Sequence, residues 1–375
     1  MKNFQIFCFL ICLNFFFGCS ESNVFIPEDE NLIEDPINDP IDDEGSNDCE
    51  QNNCWHNDFF VCRNSYLNKL FTRTEGWTGG DATYSTKLPN GKQLWLFGDT
   101  FIDQVGENGK RTSIRLINNS LVLQDNDELT TYHGGTTIKP KAFVTPPEAN
   151  RWYWPGDATS TIDTLYVFMQ GFGNDTGGAW DFYRTSIDLL KMNPETLEIY
   201  KNQRVLEPPE ITFGSAILED TNYTYLYGVK AIGFNKHLHV SRTDETLNQK
   251  WEYFNGENWT IDINESISIF HNVSEQFSVF KDNDIYYLLT QDYALGAKIK
   301  LYKSNSITGP WDGGKIIYCT PETNGDIFTY NAFAHQDIQQ DSLVISYNVN
   351  SFKFTDLKDV NNYRPYFIKV GNWRN

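Results

Sequence analysis

The chain has 375 residues, a formal net charge of −20 and 15% aromatic residues. Twelve of the acidic side chains and only one basic one fall in residues 1–50, so the remainder is only mildly acidic. No basic patch or recognition motif is present, which argues against a nucleic-acid partner.

The chain opens with Lys2, an apolar run from Phe4 to Phe17, and Gly18-Cys19. The run is short for a membrane span and has the flanks of an export signal. A small residue before cysteine resembles a bacterial lipobox, so residues 1–18 are expected to be a signal peptide and Cys19 a lipid anchor. Ordinary secretion, with Cys19 incidental, is the alternative. Residues 19–57 are rich in Asp, Glu, Asn and Pro and bury too little apolar surface to fold alone, as expected of a disordered acidic tether. The expected location is the bacterial outer membrane, with the protein facing the cell surface.

After removal of the signal, Cys19, Cys49, Cys54, Cys62 and Cys319 remain. Export permits disulfides. With Cys19 lipidated, a Cys62–Cys319 clasp with Cys49–Cys54 as its complement is one of three connectivities. No spacing suits zinc.

From residue 58 to 375 the chain is rich in β-branched and aromatic residues punctuated by Gly, Asn and Asp, an all-β pattern. RTSIDLLKMNPETLEIY reads either as a helix or as two strands around a Pro-containing turn. Five hairpins align, with first strands starting near 80, 156, 214, 275 and 331. Such spacing predicts a five-bladed β-propeller; a β-sandwich is the alternative. The best-defined hairpin is Gly79 to Ile102, where Asn90-Gly91 supplies the turn. Its antiparallel register should bring Asp81, at the start of the first strand, beside Asp99, at the end of the second.

In a propeller these strand ends form two rings at one mouth. The inner ring is Asp81, Asp157, Gly214-Ser215, Glu275-Gln276 and Asn331. The outer ring is Asp99, Gln170, Lys230, Gln291-Asp292 and Asn348. Carboxyls held close raise one another's pKa, so that one stays protonated while another is ionised. Glycoside hydrolysis requires such a pair. Asp81 is the candidate base or nucleophile, Asp99 or Asp157 its partner, and Glu275 the candidate acid. For each, a turn-stabilising carboxylate is the competing reading. Trp77, Trp154 and Trp180 are placed to rim the pocket and stack on sugar rings. Asp292, Asn331 and Asn348 are candidate substrate contacts. His335 either binds substrate or caps a strand, and Lys230 and Arg115 pair either with ring carboxylates or with an anionic substrate. A calcium ion would suit such carboxylates, although nothing in the spacing demands one; no other cofactor is expected. The expected assembly is a monomer with a glycan as its partner.

The segments GWTGGDATYSTKLPNGKQLWLFGDTF, INNSLV, SITGPW and AHQD…LVISYNVNSF…YRPYFIKV resemble a bacterial family catalogued as a domain of unknown function. That family is similar to one with the same FGDT signature whose members include endo-D-arabinofuranosidases. Both resemble, more distantly, five-bladed arabinanases, β-xylosidases and invertases. The resemblance covers residues 60–375 and implies a propeller with Asp81 and Asp99 at a central pocket. It departs from the better-known propeller glycosidases near Gly214-Ser215, where their acid glutamate would be expected. The nearest glutamates here are Glu210 and Glu219. Two functions therefore stay open: a surface glycosidase acting on a furanose- or pentose-containing glycan, and a non-catalytic glycan-binding lipoprotein. A structural or adhesin role would predict a plugged mouth.

Overall fold

The computed structural model describes residues 59–374, apart from 114, 179–180, 233–234 and 339–340. The expected signal peptide, Cys19, the acidic tether, Cys49, Cys54 and Trp180 lie outside the described residues.

The all-β expectation holds, and each of the five expected hairpins is present. The first pairs Tyr84–Lys87 with Gln93–Phe97 and continues to Ser120–Asp125 and Glu128–Tyr132. The second runs Arg151–Ser160, Leu165–Gly173, Tyr183–Met192 and Ile199–Leu206. Of the two readings of RTSIDLLKMNPETLEIY, the strand pair is correct. Its apolar residues Ile187, Leu189, Leu190 and Met192 are all buried, as a strand enclosed on both faces requires. The third hairpin is Thr212–Asp220 with Tyr223–Ile232, the fourth Phe277–Asp282 with Ile285–Gln291. The fifth joins Ile327–Ala334 to Leu343–Ser351.

The fifth sheet is completed by both chain ends. Pro365–Gly371 pairs with Leu343–Ser351, and Phe60–Arg63 pairs in turn with Pro365–Gly371. Cys62 and Cys319 are each disulfide-bonded, and Arg63 meets Glu322 at 2.6 Å. Cys62→Ser, which removes one disulfide, is expected to cost about 2–4 kcal/mol, read as a lower denaturation midpoint.

Side-chain alternation in QLWLF explains how the first hairpin is held. Leu94 and Leu96 face a core with Tyr84, Val167 and Met169, whereas Trp95 and Phe97 face Phe71, Trp77 and Phe367. Both faces are covered, so register is tightly specified. Residues of all five first strands line one cavity of about 220 Å³, among them Ser85, Asp157, Ile217, Ser278 and Phe333. Lys87, Ser160 and Glu219, near the far ends of their strands, also line it. Asp81 and Asp99 lie at the opposite strand ends.

Candidate functional site

The expected juxtaposition of Asp81 and Asp99 is present. The Asp81 amide donates to the Asp99 carbonyl at 3.1 Å, and the Gly98 amide to the Asp81 carbonyl at 3.0 Å. Asp81 Oδ2 accepts hydrogen bonds from the hydroxyls of Tyr330 (2.8 Å) and Tyr363 (3.0 Å). Its Oδ1 lies over Gly98, where a Cβ would collide with it. That close approach accounts for the glycine of FGDT. Asp99 Oδ1 accepts from Trp154 Nε1 at 2.8 Å and from Asn118 Nδ2 at 3.1 Å. Among the described residues, its Oδ2 accepts nothing.

Burial pushes the Asp81 carboxyl up to about 6, against the pull of the two tyrosine hydroxyls. Burial, and then the Asp81 charge, push Asp99 up to about 7. Two carboxyls so close cannot both ionise cheaply, so the pair retains a proton near neutral pH. Removing one donor should shift this balance. Tyr363→Phe is expected to raise the acidic limb of any pH–activity profile by about one unit, since a hydrogen bond to a charged group contributes about 1.5–3 kcal/mol. An unmoved limb would show that Tyr363 does not tune Asp81.

The backbone after Asp81 is strained. Ala82 and Thr83 have φ of 67° and 57°, a region costly for residues with a Cβ. Neighbouring sheets hold this turn. Asn348 Nδ2 donates to the Gly80 carbonyl (3.2 Å) and to Thr83 Oγ1 (3.0 Å), and Gln276 donates to the Ala82 carbonyl. Asn348 is thus a buried brace for the Asp81 turn.

The other expected site residues are dispersed among different roles. Asp157 is buried, with Oδ1 on the Ala158 amide (2.9 Å) and Oδ2 on the Ile217 amide (2.8 Å). Oδ2 stitches the second sheet to the third while Oδ1 caps its own strand's amide, and burial raises its pKa well above normal. Glu275 has one oxygen on Arg184 and the other on Lys236. With both oxygens occupied by cations, it is poorly arranged to hand a proton to a substrate. Trp77 is 0% exposed and packs on Phe71 and Phe97 rather than rimming a pocket. A register shift between Trp77 and Gly79 marks an irregularity in its strand. His335 is buried, with Nδ1 to Ser85 Oγ (2.7 Å) and Nε2 to Ser346 Oγ (2.8 Å). Burial holds it down to about 3, so it stays neutral as a brace. Lys230 pairs with Glu210 (2.8 Å) and Asp292 with Lys300 (2.7 Å). Asn331 occupies a left-handed turn at φ 58°, which asparagine tolerates. Of the expected tryptophans that are described, Trp154 reaches the carboxyl pair and Trp77 does not. Among the described residues, no group of three or more His, Cys, Asp or Glu is placed to hold a metal ion.

Several neighbours carried no sequence signal. Trp154 packs against Phe172 (4.4 Å between ring centres) and Phe182 (5.1 Å). The Arg184 guanidinium lies 5.3 Å from the Phe172 ring centre. On the other side, Tyr330 adjoins Phe328 (5.5 Å), which packs on Phe352 (4.5 Å). Phe352 is 58% exposed, and Phe354 nearby in sequence is 51% exposed. The carboxyl pair is therefore flanked by aromatic rings, a suitable surface for sugar faces.

The fold and site together define an all-β protein with a half-buried pair of neighbouring carboxyls at one end of its first hairpin. The chain belongs to the family described as Domain of unknown function (DUF5005), whose model matches residues 64–373. No curated protein matches the chain. Among solved structures it is similar to a candidate hydrolase from Bacteroides ovatus ATCC 8483. The two are 23% identical over 84% of this chain and 91% of the other, with a TM-score of 0.75, which shows a shared fold. Weaker similarity extends to levansucrase from Bacillus subtilis (14% identity, 78% and 80% coverage, TM-score 0.45). It extends also to the α-L-arabinofuranosidase of Podospora anserina in complex with cellotriose (12% identity, 79% and 92% coverage, TM-score 0.44).

Proposed function

We propose that the protein is a glycoside hydrolase, exported and lipid-anchored on Cys19, with its five hairpins arranged as the blades of a propeller. The carrying observation is the Asp81–Asp99 pair: two adjacent carboxyls, both raised, one of them keeping a free oxygen. Asp99, the higher of the two, donates its proton to the departing glycosidic oxygen through Oδ2. Asp81, held by Tyr330 and Tyr363, acts as the ionised base or nucleophile. This gives the acid role to Asp99 in place of Glu275. The exposed rings of Phe352 and Phe354 offer stacking surfaces for the glycan. A furanose- or pentose-containing substrate rests on the resemblance of the FGDT hairpin to the arabinofuranosidase relatives.

The test is release of sugars from a panel of plant, microbial and host glycans, arabinans included. Wild type and Glu275→Gln are expected to release product, and Asp81→Asn to release none. Silence of the wild type on every glycan, or full activity of Asp81→Asn, would defeat the reading. One observation favours a second reading, non-catalytic glycan capture: the glutamate of the inner ring is engaged by two cations instead of standing free. Saturable binding without product, weakened by Asp81→Asn, would support capture.

A further inference from the structure

Arg184 and Lys236 share a single carboxylate, Glu275. Among the described residues no other carboxylate pairs with either cation. Arg184 also meets the Gln170 amide oxygen, at a long 3.5 Å, the face of Phe172 and, more distantly, the Tyr84 hydroxyl. Its Nε is buried without a partner. Glu275 alone faces two cations, and burial with the Arg184 charge beside it holds the Lys236 ammonium down to about 7, so that a further anion would favour its charged form. Partly buried charge of that kind is costly unless a further anion completes it. The side chains of Arg184 and Lys236 remain 28% and 25% exposed, so a ligand can reach them.

The cluster adjoins the carboxyl pair from two directions. Asp99 holds Trp154, Trp154 packs on Phe172, and Arg184 lies over Phe172. Gln276, next to Glu275, holds the carbonyl of Ala82, next to Asp81. A glycan lying along the aromatic wall from Asp99 would bring a neighbouring sugar to the cations. Arg offers a planar fork suited to oxyanions, and Lys a point charge beside it.

We propose that Arg184 and Lys236 bind an anionic substituent of the glycan, a uronate carboxylate or a sulfate ester. The proposal deepens the glycan-directed reading of the same site and rests on it. Glu275 is then the internal placeholder that the substituent partly displaces.

Binding, not hydrolysis, tests it. Titration calorimetry on the purified protein would compare oligogalacturonate with its methyl-esterified form, and a sulfated galactan oligosaccharide with its desulfated form. At least one acidic member is expected to bind about tenfold tighter than its neutral counterpart, and which pair shows this separates carboxylate from sulfate. Lys236→Met should erase the preference with the melting temperature unchanged. Glu275→Gln should tighten acidic binding severalfold, because it removes the competing anion; a merely structural ion pair would not give that sign. Equal binding within both pairs, or a preference that survives in both Lys236→Met and Arg184→Met, overturns the proposal. Hydrolysis of neutral glycans alone would overturn it and leave the hydrolase reading intact. Acidic preference without product from any glycan would uphold it and defeat catalysis.

Discussion

Asp99→Asn is expected to lower glycan hydrolysis by about 10²–10⁴-fold, the usual contribution of a positioned proton donor, and to stabilise the fold at pH 8. The second effect follows from the direction of the titration. Its folded-state pKa, about 7, lies above the ordinary value of 3.8. The native carboxyl therefore holds its proton more tightly than the unfolded one. Well below pH 3.8 both states are protonated and nothing is lost. Stability then falls as pH rises toward 7 and stays lowered above it. Three units would correspond to a ceiling of about 4 kcal/mol. Solvent at the half-buried rim, and coupling to Asp81, reduce the net gain to about 1–2 kcal/mol. Asparagine keeps one acceptor for Trp154 and Asn118, so the packing need not change. Denaturant midpoints at about pH 3 and pH 8 provide the check: the variant should match wild type at the lower pH and exceed it at the higher. A destabilised variant at pH 8 would mean that the carboxylate is a structural asset there. The same pair sets the expected activity optimum between about pH 6 and pH 7, where one proton is shared between Asp81 and Asp99.

The central feature of this site was legible because a hairpin is a local object. Asn90-Gly91 fixes the turn, alternation in QLWLF fixes the faces, and Asp81 must then meet Asp99. The breaks in the first strands fall at positions singled out in the sequence: Asp157, Gly214-Ser215 and Asn331-Ala332 each lie where their strand breaks register. What could not be read was the environment supplied by distant segments. Arg184 is 91 residues from Glu275, and nothing local marks it as the partner that occupies that carboxylate. Tyr330 and Tyr363 lie 249 and 282 residues from Asp81. Trp77 sits close to Asp81 in sequence, yet its ring is drawn into the cluster built on Phe71, a residue of the chain entry rather than of a hairpin. His335 reads equally well as ligand or brace until the two serines from other strands are seen to take both of its nitrogens.

The largest structural effect is expected at Gly79, which touches no substrate. Arg111 is buried and has no carboxylate partner among the described residues. Its guanidinium donates instead to the carbonyls of Thr78 (2.7 Å), Leu357 (2.7 Å), Asp359 (3.1 Å), Val360 (3.3 Å) and Tyr363 (3.1 Å). It thereby clamps the 357–363 segment against Glu75–Gly80, and that segment delivers the Tyr363 hydroxyl to Asp81. A Cβ on Gly79 would overlap both the Tyr363 carbonyl oxygen and the Arg111 guanidinium. Neither is a free side-chain tip that can swing aside: one is backbone, the other is fixed by its fan of hydrogen bonds. Gly79→Ala should therefore either break the clamp or displace Tyr363, at a cost of about 3 kcal/mol or more. The melting temperature should fall by at least about 5 °C, and turnover should drop even in protein that remains folded, because Asp81 loses a donor. Arg111→Met would leave the same carbonyls without their donor and should fall by a comparable amount. A Gly79→Ala protein that melts within a degree of wild type would show that the 357–363 segment yields freely, and that Tyr363 reaches Asp81 by some means other than this clamp.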